Sequence, residues 1–298
     1  MSFGSKAKEE LSLPVKTSKK CCRVMKVYGA MLFGAHIKGD EIVIKTESVE
    51  FCEDLCREFS ELFKITAVVG YSKNIIKIGI KKEEYEQKAC RENPFLKGVI
   101  SPEKRIDFAA LKKPCCNKAF IKGAFLGCGI LMDPQKQYKL EFLTGHQAIS
   151  NDLVEFFKMM GFNAKMSFRK SGFVVYFKES ENIEDILNIM GATGAAFRLM
   201  EIKVIKDVRN NINRKVNFET ANITKTVDAA SLHVMAIEKI MDMAGLDFLG
   251  QKLKETALLR YENPQSSLNE LCELCAGAIS RSGLNHRLQK IMEIADTL

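Results

Sequence analysis

No stretch of about 18 consecutive apolar residues occurs in the 298-residue chain, so no membrane-spanning helix is expected. The opening Met1-Ser2-Phe3-Gly4-Ser5-Lys6-Ala7-Lys8-Glu9-Glu10 lacks the apolar segment of a secretory signal, and a cytoplasmic protein is expected. In that reducing compartment the ten cysteines do not suggest a disulfide framework. Cys272-x-x-Cys275 has zinc-ligand spacing, but it lies in a helical pattern with no second Cys pair or paired His nearby in sequence. Adjacent cysteines such as Cys21 and Cys22 point different ways from a helix, so joint chelation by them is not expected either. The thiols read as small apolar core side chains, and neither a metal nor another cofactor is expected.

What the chain does have is an internal repeat. Cys21-Cys22 and Cys115-Cys116 each open a segment that carries Gly-Ala-x-Leu seven residues after the pair, and the two copies are 94 positions apart. Self-similarity at a fixed offset implies two copies of one structural unit. Small residues on the repeated helix imply that each copy presses it against its twin. The patterns that follow also repeat. Residues 41–46 alternate as a strand, 49–63 read as an amphipathic helix, and 66–70 and 75–80 as a strand pair. In the second half the same order falls at 138–144, about 148–160, 164–168 and 173–177. Each half therefore reads as helix–strand–helix–strand–strand, or close to it.

The net charge of +8 is a weak pointer to a polyanionic partner, and its distribution says more. Residues 203–225 carry Lys203, Lys206, Arg209, Arg214, Lys215 and Lys225 against only Asp207 and Glu219. Asn210, Asn211, Asn213, Asn217 and Asn222 are interleaved with them. Such a segment suits a phosphate backbone, and equally suits a solvated connector with local turns.

The carboxyl-terminal pattern favours DNA. Leu268, Leu271, Leu274 and Cys275 have helical spacing, followed by the small-residue turn Ala276-Gly277-Ala278. A second helix then buries Leu284, Leu288, Ile291 and Ala295 on one face. From 281 to 290 there are three cations and no acid. That is the logic of a helix-turn-helix, whose second helix offers polar and basic side chains to the major groove. The step from Leu271 to Ile279 is eight residues, about two longer than the tightest form of the motif. A plain helical hairpin that binds protein is the competing reading.

The nonapeptides Val27-Tyr28-Gly29-Ala30-Met31-Leu32-Phe33-Gly34-Ala35 and Ile121-Lys122-Gly123-Ala124-Phe125-Leu126-Gly127-Cys128-Gly129 resemble degenerate LAGLIDADG motifs of homing endonucleases. Joined to a helix-turn-helix, they resemble the WhiA family of bacterial DNA-binding regulators, over essentially the whole chain. The most specific segments are Met1-Ser2-Phe3 with Lys8-Glu9-Glu10-Leu11, residues 208–222, and Ser280-Arg281-Ser282-Gly283-Leu284-Asn285-His286-Arg287-Leu288. The resemblance implies a role in cell division and chromosome segregation, with sporulation control in some relatives. In the endonuclease relatives each motif helix ends in an acid that holds divalent metal, and the strands form a saddle over DNA. Here the matching positions are Gly34 and Cys128, which supply no carboxylate. The nearest acids, Asp40 and Asp133, lie past the helix ends.

The expected fold class is α+β: a pseudo-twofold, LAGLIDADG-like duplicated domain followed by an all-α helix-turn-helix domain. The expected division is an amino-terminal arm at 1–18, the duplicated domain at 19–200 (repeats about 19–88 and 115–200, joined by a connector around 90–114), a basic linker at 201–226, and a helical domain at 227–298 with its motif at about 266–298. Expected base contacts are Arg281, Ser282, Asn285, His286 and Gln289, with Ser280, Arg287 and Lys290 on phosphates. Arg209, Asn210, Asn213 and Arg214 are further DNA-binding candidates. Lys45, Lys73, Lys77, Lys139, Lys165, Arg169 and Lys170 mark the strand surface, where they serve equally to block edge pairing. The expected protein is a nucleoid-associated, sequence-specific binder of double-stranded DNA without nuclease activity. Other regulatory or division proteins are a second class of partner, and an active endonuclease is the remaining alternative.

Overall fold

The structure is a computed structural model and describes residues 2–13, 19–169, 172–275 and 278–298. Lys170 and the Ala276-Gly277 part of the expected turn lie outside the described residues. The chain divides into two units, Met1–Lys206 and Asp207–Leu298.

The first unit opens with helix α1 (Phe3–Ser12), started by Ser2, whose Oγ accepts the Ser5 amide. Ala7 and Leu11, one turn apart, are fully buried against the rest of the unit. The described part of the expected arm is thus a docked helix, because its apolar residues recur at helical spacing. The first repeat then runs α2 (Lys20–Gly34), β1 (Ala35–Lys38), β2 (Glu41–Thr46), α3 (Val49–Phe63), β3 (Val68–Ser72) and β4 (Ile75–Lys81). A turn of helix, α4 (Lys82–Glu84), continues through a π-helical turn at Tyr85–Cys90, and α5 (Lys97–Ile100) follows. The second repeat runs α6 (Pro114–Cys128), β5 (Gly129–Leu131), β6 (Leu140–Thr144), α7 (Gln147–Met159), β7 (Lys165–Arg169) and β8 (Gly172–Phe177). Helix α8 (Ser180–Met190) closes it.

The two sheets have the same antiparallel order, β1-β2-β4-β3 and β5-β6-β8-β7. Strands β1 and β5 are additions to the sequence reading. They are three or four residues long and begin directly where a motif helix ends, too short for alternation to show. One face of each sheet packs on the helices through Ile42, Ile44, Ile76, Ile78 and Ile80 in the first and Leu140, Phe142, Val175 and Phe177 in the second.

Helices α2 and α6 form the centre. Their backbones touch: a Cβ on Gly29 would lie 2.2 Å from the Phe120 carbonyl oxygen, and one on Gly123 would lie 2.0 Å from that of Lys26. Only glycine permits that approach, and the repeat places it at equivalent positions of both helices. At the other end of the pair the Cys21, Cys22, Cys115 and Cys116 sulfurs all lie within 4.8 Å of one another. This corrects the expectation that neighbouring cysteines point apart. Both pairs occupy the first turn of their helix, and the helix pairing turns all four thiols to one place.

The connector is ordered and buries Leu96, Val99 and Ile106. Tyr28 Oη accepts the Asp107 amide at 2.9 Å, and Arg105 makes a two-pronged ion pair with the buried Asp152 at 2.7 and 2.8 Å. Helix α9 (Thr193–Met243) begins under Glu10, whose carboxylate accepts the Gly194 and Ala195 amides at 2.8 and 3.1 Å. A negative side chain at a helix start satisfies free N–H groups and favours the dipole. The expected linker at 201–226 is not a separate loop: every residue of it is helical and belongs to α9.

The second unit comprises the rest of α9, α10 (Gln251–Glu262), α11 (Leu268–Leu274) and α12 (Arg281–Thr297). Its core is Ile237, Ile240, Leu249, Ala257, Leu271, Leu284, Leu288, Ile291 and Ala295. Ser267 and Glu270 form a reciprocal capping box at α11, and Ser280 Oγ accepts the Gly283 amide at α12. Buried Arg260 donates to the Asn263 and Ser266 carbonyls at 3.1 and 2.7 Å, fixing the loop between α10 and α11.

Candidate nucleic-acid interface

Helix α12 buries Leu284, Leu288, Ile291 and Ala295 and leaves its remaining surface to the named candidates. The structure divides them into two sets. Arg281, Asn285 and Gln289, four residues apart, line a cleft of about 500 Å³ with Lys225 of α9 and Asn269 of α11. Ser282, His286 and Lys290 form the adjacent exposed row. Ser280 is the N-cap, so its hydroxyl is already engaged with the helix. Arg287 is half-buried and donates to Thr256 Oγ1 at 3.5 Å, so its guanidinium is turned toward α10 rather than outward. His233, at the cleft wall, is buried with its Nδ1 unpartnered; burial and then Arg260 lower its pKa.

Arg209, Asn210, Asn213 and Arg214 are exposed on α9. Helical spacing pairs Arg209 with Asn213 and Asn210 with Arg214 on neighbouring rows. They are not part of the α12 cleft: Arg214 lies about 16 Å along the helix from Lys225, at 1.5 Å per residue.

The open faces of the two sheets differ. On the first, Lys45 stands opposite Lys77 in register, both exposed and without an ion-pair partner among the described residues. His36, on the same face, has a lowered pKa because of burial and then Lys45, Lys104 and Lys38. On the second sheet, Glu141 binds both Lys139 at 2.6 Å and Arg169 at 2.8 Å, so these two cations share one carboxylate and are partly neutralised. Lys165 remains exposed there, and Lys73 lies in the β3–β4 turn with positive φ.

Gly34 and Cys128 are the last residues of α2 and α6. The chain leaves each helix directly into a strand, so Asp40 is carried roughly 13 Å or more away and Asp133 about 10 Å. Two lysines reach the helix ends instead. Lys104 Nζ donates to the Leu32 carbonyl at 3.2 Å and also to that of Ala35. Lys8 Nζ donates to the Leu126 carbonyl at 3.5 Å and lies 5.7 Å from the Phe125 ring centroid. Leu32 and Leu126 are equivalent residues of the repeat. Burial lowers the pKa of both lysines, that of Lys104 to about 8, and pushes the Cys128 thiol up to about 12. Sequence reasoning missed both lysines; nothing local marks them, since each contacts a helix far away in the chain.

Two tandem repeats of this topology, paired through glycine-rich helices, define a LAGLIDADG-type domain, and it is followed by a helix-turn-helix domain. A model of the WhiA LAGLIDADG-like domain matches residues 117–209, and one of the WhiA C-terminal HTH domain matches 212–295. The chain is 34% identical over 313 residues to "Probable cell division protein WhiA" of Clostridium novyi (strain NT), covering 100% of this chain and 98% of that protein. It is 36% identical over 315 residues to the protein of the same name from Clostridium perfringens (strain 13 / Type A), with the same coverage of each. The chain belongs to the WhiA family. Its fold is similar to that of full-length DUF199/WhiA from Thermatoga maritima, with a TM-score of 0.59, 21% identity, and 100% and 99% of the two chains covered.

Proposed function

We propose that this protein is a sequence-specific binder of double-stranded DNA that acts as a transcriptional regulator in cell division and chromosome segregation, without cutting DNA. The observation that carries the binding reading is the surface of α12: a capped helix start, a cleft with Arg281, Asn285 and Gln289, and an exposed row with Ser282, His286 and Lys290. Arg and Asn read base edges, while Lys neutralises phosphate. Ser280 contributes by holding the helix start, and Arg287 by bracing α12 on α10. Arg209, Asn210, Asn213 and Arg214 offer a second basic strip for the DNA backbone.

The absence of cleavage rests on the motif-helix ends. Metal-assisted phosphodiester hydrolysis needs hard anionic oxygens to hold a dication. Here glycine and cysteine stand at those positions and two lysine ammonium groups sit beside them, and positive charge repels a dication.

The test uses the full-length protein in two assays. Selection from a random duplex pool should enrich one sequence, and the Arg281→Ala variant should enrich the same sequence with preference relaxed at one position. No enrichment at low salt would overturn the DNA reading in favour of a protein-interaction scaffold in division. Incubation with supercoiled plasmid and Mg²⁺ should leave the plasmid intact; nicking abolished by EDTA would overturn the non-cleaving reading.

A further inference from the structure

The first turns of α2 and α6 bring together four thiols and no other ligand type. Their sulfurs all lie within 4.8 Å of one another, and Cys21 and Cys22 Sγ are 4.0 Å apart. A tetrahedral ion with Zn–S bonds of about 2.3 Å holds its sulfurs about 3.8 Å from each other. Movement of under about 1 Å per pair, within the reach of a cysteine rotamer, closes that difference. The spacing suits one ion. In a polynuclear iron–sulfur cluster the thiolates bind different iron atoms and must stand farther apart.

The surroundings suit a dianionic tetrathiolate. Neither helix start has a side-chain cap or an acid in its first turn, so both positive dipole ends face the sulfurs uncompensated. Lys19, Lys20, Arg23, Lys113 and Lys118 flank the two pairs in sequence. Three of the four cysteines are half-buried and only Cys116 is fully buried, which leaves a path for the ion. Burial and the neighbouring thiols hold Cys22 up at about 11 and Cys116 at about 12, while hydrogen bonding with Cys22 lowers Cys115. A dication reverses such shifts and deprotonates coordinating thiols outright.

We propose that Cys21, Cys22, Cys115 and Cys116 form a structural site for a single zinc ion that fastens the two repeats at the amino-terminal ends of their paired helices. The glycine contacts at Gly29 and Gly123 lie about 12 Å farther along each helix, at 1.5 Å per residue. The ion holds the pair at a second point, one to two turns beyond the glycine contacts. It also closes a loop between residues 94 positions apart in sequence, the arrangement in which a metal clip restrains the unfolded chain most.

The test is metal analysis of the full-length protein, purified without chelator from cells grown in zinc-supplemented minimal medium. About one zinc per chain is expected, lost in Cys22→Ser/Cys116→Ser and retained in Cys272→Ser/Cys275→Ser. As a measurement independent of any variant's folding, wild-type protein stripped of metal and titrated with Co²⁺ should develop the intense visible bands and sulfur-to-cobalt charge transfer of a tetrahedral thiolate site. Substoichiometric zinc together with no cobalt spectrum would overturn the site. So would zinc that follows Cys272 and Cys275, two disulfides among the four cysteines in protein prepared anaerobically, or iron in place of zinc.

Discussion

Lys104 Nζ sits 3.2 Å from the carbonyl oxygen of Leu32, and its counterpart Lys8 makes the same contact to Leu126 in the other repeat. Each lysine caps the last turn of a motif helix, where free carbonyls concentrate negative partial charge. The pseudo-twofold symmetry of the motif is therefore reproduced by two lysines that are not themselves repeated in sequence.

Burial of Lys104 has a pH signature. Its folded pKa of about 8 lies below the ordinary 10.5, so between these values the unfolded chain binds more protons and stability rises with pH. The contribution is on the order of 3 kcal/mol at most. Urea midpoints of wild type and Lys104→Met, measured from pH 7 to 9.5, should show wild type gaining relative to the variant. Parallel curves would rule out this account.

The glycine contact sets a steric limit. Gly29→Ala and Gly123→Ala should each destabilise by about 1–3 kcal/mol, because the new methyl meets backbone and not a movable side chain. Gly145→Ala, with open space around it, is the control and should be near neutral. Denaturation of the three variants checks the contrast.

Lys290 and Arg281 should separate in binding assays. Lys290→Ala should weaken binding to all duplexes and reduce the salt slope by about 1. Arg281→Ala should cost about 1–3 kcal/mol on the preferred sequence and relax preference at one position. Fluorescence anisotropy at several salt concentrations, on preferred and scrambled duplexes, distinguishes them.

Ser280 and Arg287 should act through stability. Ser280→Ala removes the α12 N-cap and should cost about 1 kcal/mol, with Ser280→Asn largely restoring it. Arg287→Ala should loosen α12 from α10. Hydrogen exchange along α12 is the measurement; a loss of DNA affinity with unchanged exchange would return these residues to the phosphate contacts.

Much of the architecture was legible because it is periodic. The 94-residue repeat, the period-2 strands such as 41–46 and the helix 49–63 follow from side-chain spacing alone, and β2 and α3 fall on those residues. Gly34 and Cys128 also stand at the motif-helix ends, as the aligned nonapeptides require. The strands β1 and β5 carried too few residues for a pattern, and the helical state of 201–226 was obscured by its interleaved asparagines and basic residues, among which Val204, Val208, Ile212, Val216 and Phe218 are exposed and not gathered into a core.

The sequence by itself determined the duplication, the close-packed helix pair and the absence of carboxylates at Gly34 and Cys128, since each is a matter of residue type at a local position. Tertiary structure alone decided what stands there instead. Lys8 and Lys104 reach carbonyls 118 and 72 residues away, and Glu10 caps a helix 184 residues on. It also decided that Arg281, Asn285 and Gln289 share a cleft, and that four thiols from two distant pairs meet. The reason is common to all of them. Local spacing fixes which side of its own helix a residue occupies, and only the packing of one element on another determines what that side faces.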